Sequence, residues 1–246
     1  MPAPHSTTPA APQGAAGEAP PVIALRHLTK RFGGATALDD VALTIEHGEV
    51  HGLLGENGSG KSTLIKVLAG YHAPEPGAEL EVNGRPVRLP LAPNQFRELG
   101  LCFVHQDLGL IGDLTVLENL RSLRIRWSRE RRAARETFER YGFDLDPDAI
   151  VNEIPETDRA LLAIVRAVEE MRATLAHDER GLLVLDEPTV FLPREGVQRL
   201  FALVRDIVAR DASVLFVSHD LDEVREITDR VTVLRDGRVH ATVVTA

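Results

Sequence analysis

The residues best suited to chemistry in this sequence form a glycine-rich segment with one lysine and two hydroxyl side chains. They are Gly55, Glu56, Asn57, Gly58, Ser59, Gly60, Lys61, Ser62 and Thr63, and they match the spacing G-x-x-x-x-G-K-[ST] at every fixed position. Such glycines let successive backbone N–H groups point at one anion, while Lys61 would reach the β- and γ-phosphates and Ser62 would ligate Mg²⁺. An apolar run before the segment and a helical pattern after it favour a phosphate-binding loop over an ordinary surface turn. The sequence therefore predicts binding of a nucleoside triphosphate.

Two carboxylates follow a second apolar run. Residues 182–185 are apolar and lead directly into Asp186 and Glu187. This pattern predicts a buried strand that delivers its acids to the carboxyl edge of a sheet, where open α/β sheets bind ligands. Asp186 would hold Mg²⁺ and Glu187 would polarise an attacking water. An acidic turn after a buried strand is the alternative, but a phosphate loop needs an acidic metal partner.

Two further apolar runs end in polar side chains. Residues 214–217 lead towards His219, which could steady the attacking water and hydrogen-bond the γ-phosphate, although a surface histidine is the alternative. Residues 101–104 lead towards Gln106, whose amide carbonyl could ligate Mg²⁺ or orient water. The predicted catalytic residues are thus Lys61, Gln106, Glu187 and His219, and the predicted Mg²⁺ ligands are Ser62, Gln106 and Asp186.

The elements that must position these residues are short apolar strands alternating with helices. Strand patterns occur at residues 22–25, 41–45, 80–82, 87–89, 101–104, 182–185, 214–217, 231–234 and 239–243. Residues 112–175 instead predict helices with an exposed charged face. Such alternation implies an α/β fold with a mainly parallel sheet. We predict one domain over residues 22–246, with its core at 22–111 and 176–246 and a helical subdomain at about 112–175.

Length, composition and charge narrow the class of protein. With 246 residues and 43% hydrophobic composition, the chain suits one sizeable core and is too short for two full nucleotide-binding domains. The net charge of −9 argues against broad, sequence-independent binding of nucleic acid and against binding of anionic lipid. Cys102 is the only cysteine, which excludes an internal disulfide and a cysteine metal cluster and suits a reducing compartment such as the cytoplasm.

Residues 1–21 are rich in Pro and Ala and contain no apolar run. They cannot bury enough surface to offset the entropy lost on ordering, so they are predicted to form a disordered tail. The sequence shows neither a secretory signal pattern nor an apolar stretch of about 18 residues, so no membrane span is predicted. Any membrane role is expected to come through a partner.

The order of these motifs resembles the ATP-binding cassette (ABC) family. The loop at residues 55–63, Gln106, the acids at 186–187 and His219 match its Walker A, Q-loop, Walker B and H-loop motifs. The resemblance covers about residues 22–246. It implies a RecA-like P-loop NTPase core with a mainly parallel sheet, an N-terminal antiparallel β subdomain and an inserted α-helical subdomain.

Two finer expectations follow from the resemblance. Phe32 occupies the place of the aromatic residue that stacks on adenine, although a simple core phenylalanine is the alternative. Residues 52–58, 104–108 and 217–224 look like the carbohydrate-import branch of the family.

One segment departs from the family pattern. The signature, Leu-Ser-Gly-Gly-Gln or a near variant, aligns here with Ile154, Pro155, Glu156, Thr157 and Asp158. In the family this segment caps the γ-phosphate bound by the opposite subunit, using a serine hydroxyl, glycine N–H groups and a helix dipole. Pro155 has neither group, and two acids would stand near the triphosphate, so the cap is expected to be impaired. As local structure the same residues make an ordinary helix start.

Two other segments also differ from the family. Residues 172–180 make the stretch before Asp186 longer than usual, which a longer surface loop would explain. Residues 190–193 replace the usual dimer-facing turn. Communication between two cassettes is therefore expected to be altered.

The resemblance implies an ATPase subunit of an importer for a sugar or similar small solute, at the cytoplasmic face of the membrane. The expected cofactors are ATP and Mg²⁺. The expected partners are membrane permease subunits, a second cassette in a homodimer or heterodimer and, indirectly, a solute-binding protein, without nucleic acid. A homodimer with this signature is expected to turn over slowly. The alternatives are a non-transport ABC ATPase, which usually needs tandem cassettes or a long coiled coil that do not fit this length, and a nucleotide-gated interaction module.

Overall fold

The computed structural model describes residues 20–120, 130–175, 181–210 and 212–245. Residues 1–19 of the predicted tail, 121–129 of the predicted helical region and 176–180 of the predicted longer loop lie outside the described residues. The limits of the tail and of the helical subdomain stay predictions.

Ten strands form two sheets in the described part of the chain. In chain order they are β1 (Ile23–Phe32), β2 (Ala35–Ile45), β3 (Val50–Leu54), β4 (Glu79–Val82), β5 (Arg85–Val87), β6 (Leu101–Val104), β7 (Gly181–Asp186), β8 (Ala212–Ser218), β9 (Arg230–Arg235) and β10 (Arg238–Val244). The larger sheet has the order β10-β9-β3-β8-β7-β6, and the smaller has the order β2-β1-β4-β5.

The larger sheet brings the predicted site residues to one edge. Strands β3, β8, β7 and β6 are parallel neighbours, so the residues that follow each of them lie on the same side of the sheet. These strands form because apolar runs rich in Val and Leu are buried between two layers, and every residue of β8 is buried. The predicted mainly parallel α/β fold is confirmed.

The smaller sheet is antiparallel and confirms the predicted N-terminal β subdomain. The strand predicted at residues 87–89 instead lies at Arg85–Val87. The reason is the turn formed by Asn83 and Gly84, which both have positive φ and bring Val82 opposite Arg85. An Asn-Gly pair favours such a two-residue turn and thereby fixes the register of the hairpin.

Seven α-helices lie in the described residues: α1 (Lys61–Leu68), α2 (Gln95–Glu98), α3 (Val116–Leu120), α4 (Glu130–Arg140), α5 (Glu156–Thr174), α6 (Arg194–Arg210) and α7 (Leu221–Ile227). Helix α5 begins three residues before the predicted start at Arg159. Pro155 is its N-cap residue, and acids occupy its first turn, where they favour the positive end of the helix dipole.

The helices pack on both faces of the larger sheet and enclose two apolar cores. Helices α5 and α6 contribute to the core on one face, which includes Phe138, Phe201 and Phe216. Helix α1 and the smaller sheet enclose the core on the other face. None of the helices in the described residues is long and apolar enough to cross a bilayer.

A buried polar chain lies at the start of β3. The Glu49 carboxylate accepts the backbone N–H of Glu46 at 2.8 Å and lies 3.0 Å from His51 Nδ1. Since a carboxylate only accepts, His51 donates through Nδ1, and its Nε2 lies 2.8 Å from Thr232 Oγ1. Burial alone would raise the pKa of Glu49, but the His51 and Glu46 hydrogen bonds, with Arg230 nearby, hold that pKa below its ordinary value.

This lowered pKa predicts an acid-sensitive contribution to stability. A carboxyl whose pKa is lower in the folded state stabilises the fold above its unfolded pKa, and the contribution disappears as pH falls through the folded value. Glu49→Ala should therefore lower the free energy of unfolding by about 2–4 kcal/mol at pH 7 and by clearly less near pH 4. Urea denaturation at both pH values measures the difference. The exposed neighbour Glu46 provides the control Glu46→Ala, with an expected loss below about 0.5 kcal/mol, and a loss in Glu49→Ala that is equal at both pH values would contradict the prediction.

Candidate nucleotide site

The loop between β3 and α1 packs closely against β2 and β9. A Cβ at Gly55 would overlap the Leu234 carbonyl and the Ser59 side chain, and Gly60 has φ of 110° with the Ala37 carbonyl 2.8 Å from where its Cβ would lie. Both positions therefore require glycine. The loop is supported from behind, because the Gly237 N–H donates to the Ser59 carbonyl at 3.0 Å. Residues 55–60 thus form a tight turn that leads into α1 at Lys61.

The Lys61 side chain lies inside this turn. Its ammonium donates to the carbonyls of Gly55 at 2.6 Å and Glu56 at 3.2 Å, and the side chain is 6% exposed. The first N–H groups of α1 receive no side-chain cap, since the N-cap residue is Gly60. Free N–H groups at a helix start, together with a fixed ammonium, make a site suited to an anion.

The Glu187 carboxylate lies between two of the other predicted residues. Its Oε1 is 3.7 Å from Lys61 Nζ and 3.3 Å from His219 Nδ1. The Glu187 backbone has φ of 50°, and its N–H donates to the Val217 carbonyl at 2.9 Å. A positive φ is uncommon for a residue other than glycine, and such backbone strain clusters at functional sites. The structure therefore brings Lys61, Glu187 and His219 together.

The predicted metal ligands have the chemistry that Mg²⁺ requires. Asp186 ends β7, and its Oδ2 lies 3.6 Å from Nδ1 of His105, the residue before Gln106. The side chains of Ser62 and Gln106 are exposed. The described residues contain no group of three or more His, Cys, Asp or Glu side chains that could hold a metal by themselves. A carboxylate, a hydroxyl and an amide oxygen fit Mg²⁺ that is also held by phosphate oxygens.

One polar atom of the loop supports the fit to an anion. Ser59 is 5% exposed, and its Oγ has no hydrogen-bond partner within the described residues. A buried hydroxyl without a partner costs free energy, so such groups in native structures often mark a site for a ligand or water. The residues of the loop therefore fit a bound phosphate.

The family is decided by the match of these motifs to known proteins. A sequence profile described as ABC transporter matches residues 38–190, which is more than half of the chain. The chain belongs to the ABC transporter family. The resemblance inferred from the motifs is confirmed.

Relatives of this ABC protein carry the names of sugar import components. The ribose import ATP-binding protein RbsA 1 of Rubrobacter xylanophilus is 42% identical over 226 residues, covering 89% of this chain and 43% of that protein. The putative ribose/galactose/methyl galactoside import ATP-binding protein 2 of Burkholderia cenocepacia is 39% identical over 232 residues, covering 91% and 43%. The chain thus spans less than half the length of these relatives.

Solved ABC cassettes share the fold. The dimeric structure of a post-hydrolysis state of an ATP-binding cassette, bound to ADP and phosphate, has a TM-score of 0.74 at 23% sequence identity. The alignment covers 91% of this chain and 99% of that one. This likeness supports the predicted P-loop core with its antiparallel β and helical subdomains.

The aromatic residue assigned by the ABC resemblance lies opposite Ala35, in the hairpin whose Ala37 carbonyl packs against Gly60 of the loop. Phe32 is 44% exposed at the end of β1, its ring meets His72 edge-on at 5.1 Å, and Lys30 Nζ lies 5.0 Å from the ring centroid. Phe32 is therefore not a simple core residue, and its contact with adenine stays a prediction.

The ABC signature segment is divided into an exposed and a packed half. Pro155 and Glu156 are exposed, whereas Thr157 is buried against α6 next to Gly196. Asp158 accepts from Arg199 Nη2 at 2.8 Å and its side chain is 15% exposed. Of the two acids expected to oppose a triphosphate, only Glu156 is thus left without a cation partner in the described residues. Pro155 still lacks the hydroxyl and the backbone N–H that the usual signature provides.

The turn that follows the acidic strand is apolar and exposed. Val190 is 44% exposed and Phe191 is 59% exposed, at the position of the dimer-facing turn in the ABC family. Large apolar side chains held this far out of the core suit a contact with another protein surface.

Reasoning from sequence missed residues that hold the site in place. Arg166 on α5 donates to the carbonyls of Leu108 at 3.1 Å and Gly109 at 2.9 Å, just after Gln106. Burial lowers the pKa of Arg166 below its ordinary value. A single cation inside an apolar helical run was the signal that could have identified it. His105, beside Asp186, carried no comparable signal.

Proposed function

We propose that this protein is the ATP-binding and ATP-hydrolysing subunit of an ABC importer for a sugar or a similar small solute. The observation that carries the proposal is the position of the Glu187 carboxylate between Lys61 and His219. These three groups are those that hydrolysis needs, namely a cation at the phosphates, an acceptor for the proton of water and a group that steadies the γ-phosphate.

The proposed reaction divides the work among these residues. The loop N–H groups and Lys61 hold the β- and γ-phosphates, and most of the catalysis comes from positioning and charge. A water oxygen attacks the γ-phosphorus, the bond to the bridging oxygen breaks, and Glu187 accepts the proton of that water. His219 would hold the γ-phosphate in line. Mg²⁺ supplies charge neutralisation at the phosphates, and Ser62, Asp186 and Gln106 would hold it.

A groove beside Gln106 supports docking of a membrane permease. It has a volume of about 550 Å³ and lies between β6, the loop that follows it and α5. Its lining combines apolar and charged side chains, including Phe103, Ala163, Met171, Arg97, Arg166 and Asp107. Such a groove suits a short amphipathic segment of another protein. Through this contact we place the protein at the cytoplasmic face of the membrane, with a solute-binding protein as an indirect partner.

The signature segment and the apolar turn support pairing with a second cassette. The dimeric cassette of similar fold and the exposed Phe191 favour a dimer. Because the exposed half of the signature lacks the usual donors, we propose that a partner with an intact signature gives faster turnover than a homodimer. The similarity of this chain to relatives named as ribose and galactose import proteins supports a sugar as the transported solute.

The test is Mg²⁺-dependent release of phosphate from ATP by the purified chain. The chain alone should turn over slowly, well below about 1 s⁻¹. The double variant Pro155→Ser, Glu156→Gly should be at least about tenfold faster, because it supplies a hydroxyl and an N–H and removes a charge; this corresponds to about 1.4 kcal/mol in the barrier. It leaves the packed Thr157 and Asp158 in place.

Glu153→Ala, on the exposed turn before the signature, is the matched control and should leave the rate unchanged. A rate near that of active cassettes for the unchanged chain alone would contradict the impaired signature. Absence of Mg²⁺-dependent hydrolysis even with a signature-intact partner cassette would refute the proposed function and favour a nucleotide-gated interaction module.

A further inference from the structure

The carboxylate of Glu223 joins the two strand ends that carry the candidate site. Glu223 lies on α7, outside the phosphate loop and outside the predicted site residues. Its Oε2 accepts from Thr189 Oγ1 at 2.8 Å and from Ser218 Oγ at 3.0 Å. Thr189 belongs to the turn after β7, and Ser218 is the last residue of β8. A single oxygen therefore connects two neighbouring segments.

Both hydroxyls are held firmly in this arrangement. Thr189 is 6% exposed and Ser218 is 3% exposed, so water has little access to either hydroxyl. The Ser218 Oγ also accepts the backbone N–H of Asp220 at 3.0 Å, which leaves its proton for Glu223. Hydrogen bonds to an ionised acceptor are roughly twice as strong as neutral ones, so the two bonds to Glu223 fix these side chains better than neutral partners could.

The position of Glu223 is itself determined by the start of α7. Asp220 is the N-cap residue of this helix, and its side chain accepts the backbone N–H groups of Asp222 and Glu223. The cap fixes the first turn, and the first turn directs the Glu223 side chain at the two hydroxyls. The connection is thus built on a helix end and does not depend on a mobile loop.

The two connected segments are those that present Glu187 and His219. Glu187 precedes Thr189 by two residues, and His219 directly follows Ser218. On the other side, the Glu187 N–H donates to the Val217 carbonyl at 2.9 Å. The segments that bring Glu187 Oε1 within 3.3 Å of His219 Nδ1 are therefore held to each other by a backbone hydrogen bond as well as by the Glu223 carboxylate.

We propose that Glu223 is a positioning residue that sets the distance between Glu187 and His219, and through it the rate of the chemical step. It touches neither the phosphate loop nor the reacting atoms, so nucleotide affinity should not depend on it. The proposal rests on the proposed ATP hydrolysis, and it assigns the control of turnover to a residue for which the sequence predicted no role in the site.

The first experiment compares Glu223→Ala with Glu223→Gln in the full chain, under the conditions in which the unchanged chain hydrolyses ATP. Glu223→Ala should lower kcat by about 10- to 100-fold, since a misplacement of about 1 Å can cost as much, with KM for ATP changed less than about twofold. Glu223→Gln should keep kcat within about fivefold, because its amide oxygen still accepts from both hydroxyls. Asp222→Ala removes a neighbouring exposed carboxylate from the same helix turn and should change neither constant.

A second measurement does not depend on activity. Hydrogen exchange of the Glu187 backbone N–H should be faster in Glu223→Ala than in the unchanged chain, while Asp222→Ala should match the unchanged chain. If Glu223→Ala does not fold, Thr189→Val and Ser218→Ala each remove one of the two hydroxyls, and each should raise exchange and lower kcat part of the way.

The outcomes separate the two proposals. A kcat unchanged by Glu223→Ala, or a loss that Glu223→Gln does not relieve, would overturn the positioning role, and so would unchanged exchange at Glu187. A chain that hydrolyses no ATP even with a signature-intact partner cassette, but still shows faster exchange at Glu187 in Glu223→Ala, would refute the proposed function and support the connection.

Discussion

Glu187→Gln is expected to abolish ATP hydrolysis while leaving nucleotide binding intact. The carboxylate lies 3.3 Å from His219 Nδ1 and 3.7 Å from Lys61 Nζ, where it could accept the proton of an attacking water. An amide has nearly the same shape but cannot accept that proton. Loss of a general base typically costs about 10²- to 10⁴-fold. The chain should therefore lose at least two orders of magnitude in phosphate release and accumulate as an ATP-bound dimer.

Phosphate release and the mass of the complex in Mg²⁺-ATP measure both parts of this prediction. Glu195→Gln is the matched control, because Glu195 is an exposed acid in the first turn of α6, and its rate should equal that of the unchanged chain. A rate for Glu187→Gln within about tenfold of normal would place the proton acceptor elsewhere. A protein that only switches on binding nucleotide would show no difference between the two variants.

Lys61→Met should remove most of the affinity for ATP. The Lys61 ammonium is already held by the Gly55 and Glu56 carbonyls, so little further ordering is needed when a phosphate binds. A hydrogen bond to a charged group contributes about 1.5–3 kcal/mol, which corresponds to roughly a 10- to 150-fold weaker Kd when it is lost. The substitution also leaves Glu187 without its cation. Titration calorimetry with ATP measures the change.

Lys66→Met is the matched control for charge and helix. Lys66 lies on α1 as well, but its side chain is exposed to solvent. Its Kd for ATP should stay within about twofold of normal. A Kd for Lys61→Met within fivefold of the unchanged chain would show that the backbone N–H groups and the helix start carry the binding.

The parts of the site that could be predicted are those that depend on strand ends. Asp186, Glu187 and His219 each follow an apolar run, and parallel strands bring their carboxyl ends to one edge whatever the details of packing. The phosphate loop could be predicted because its glycines are required by the backbone itself. The parallel pairing of β3, β8, β7 and β6 confirms that these residues share one edge of the sheet, but the sequence pattern alone predicts it.

The parts that could not be predicted depend on contacts between residues distant in sequence. The pairing of Asp158 with Arg199 joins residues 41 positions apart, and no local pattern marks it. The link from Glu223 to Thr189 spans 34 positions, and Glu223 reads as an ordinary acid near the start of a helix. Strand β5 begins two residues earlier than predicted because an Asn-Gly turn sets its register, and that pair is a local signal in the sequence.

Helix α5 joins the groove to the signature segment. It has 19 residues, which corresponds to a length of about 28 Å. Pro155 is the N-cap residue at one end of it, at the surface proposed to face a second cassette, and Arg166 near its middle donates to the backbone carbonyls of Leu108 and Gly109, beside the groove. Because one hydrogen-bonded helix carries both Pro155 and Arg166, we expect a displacement at one of these positions to be transmitted to the other. Helix α5 would thus connect the proposed permease contact directly with the proposed contact to a partner cassette.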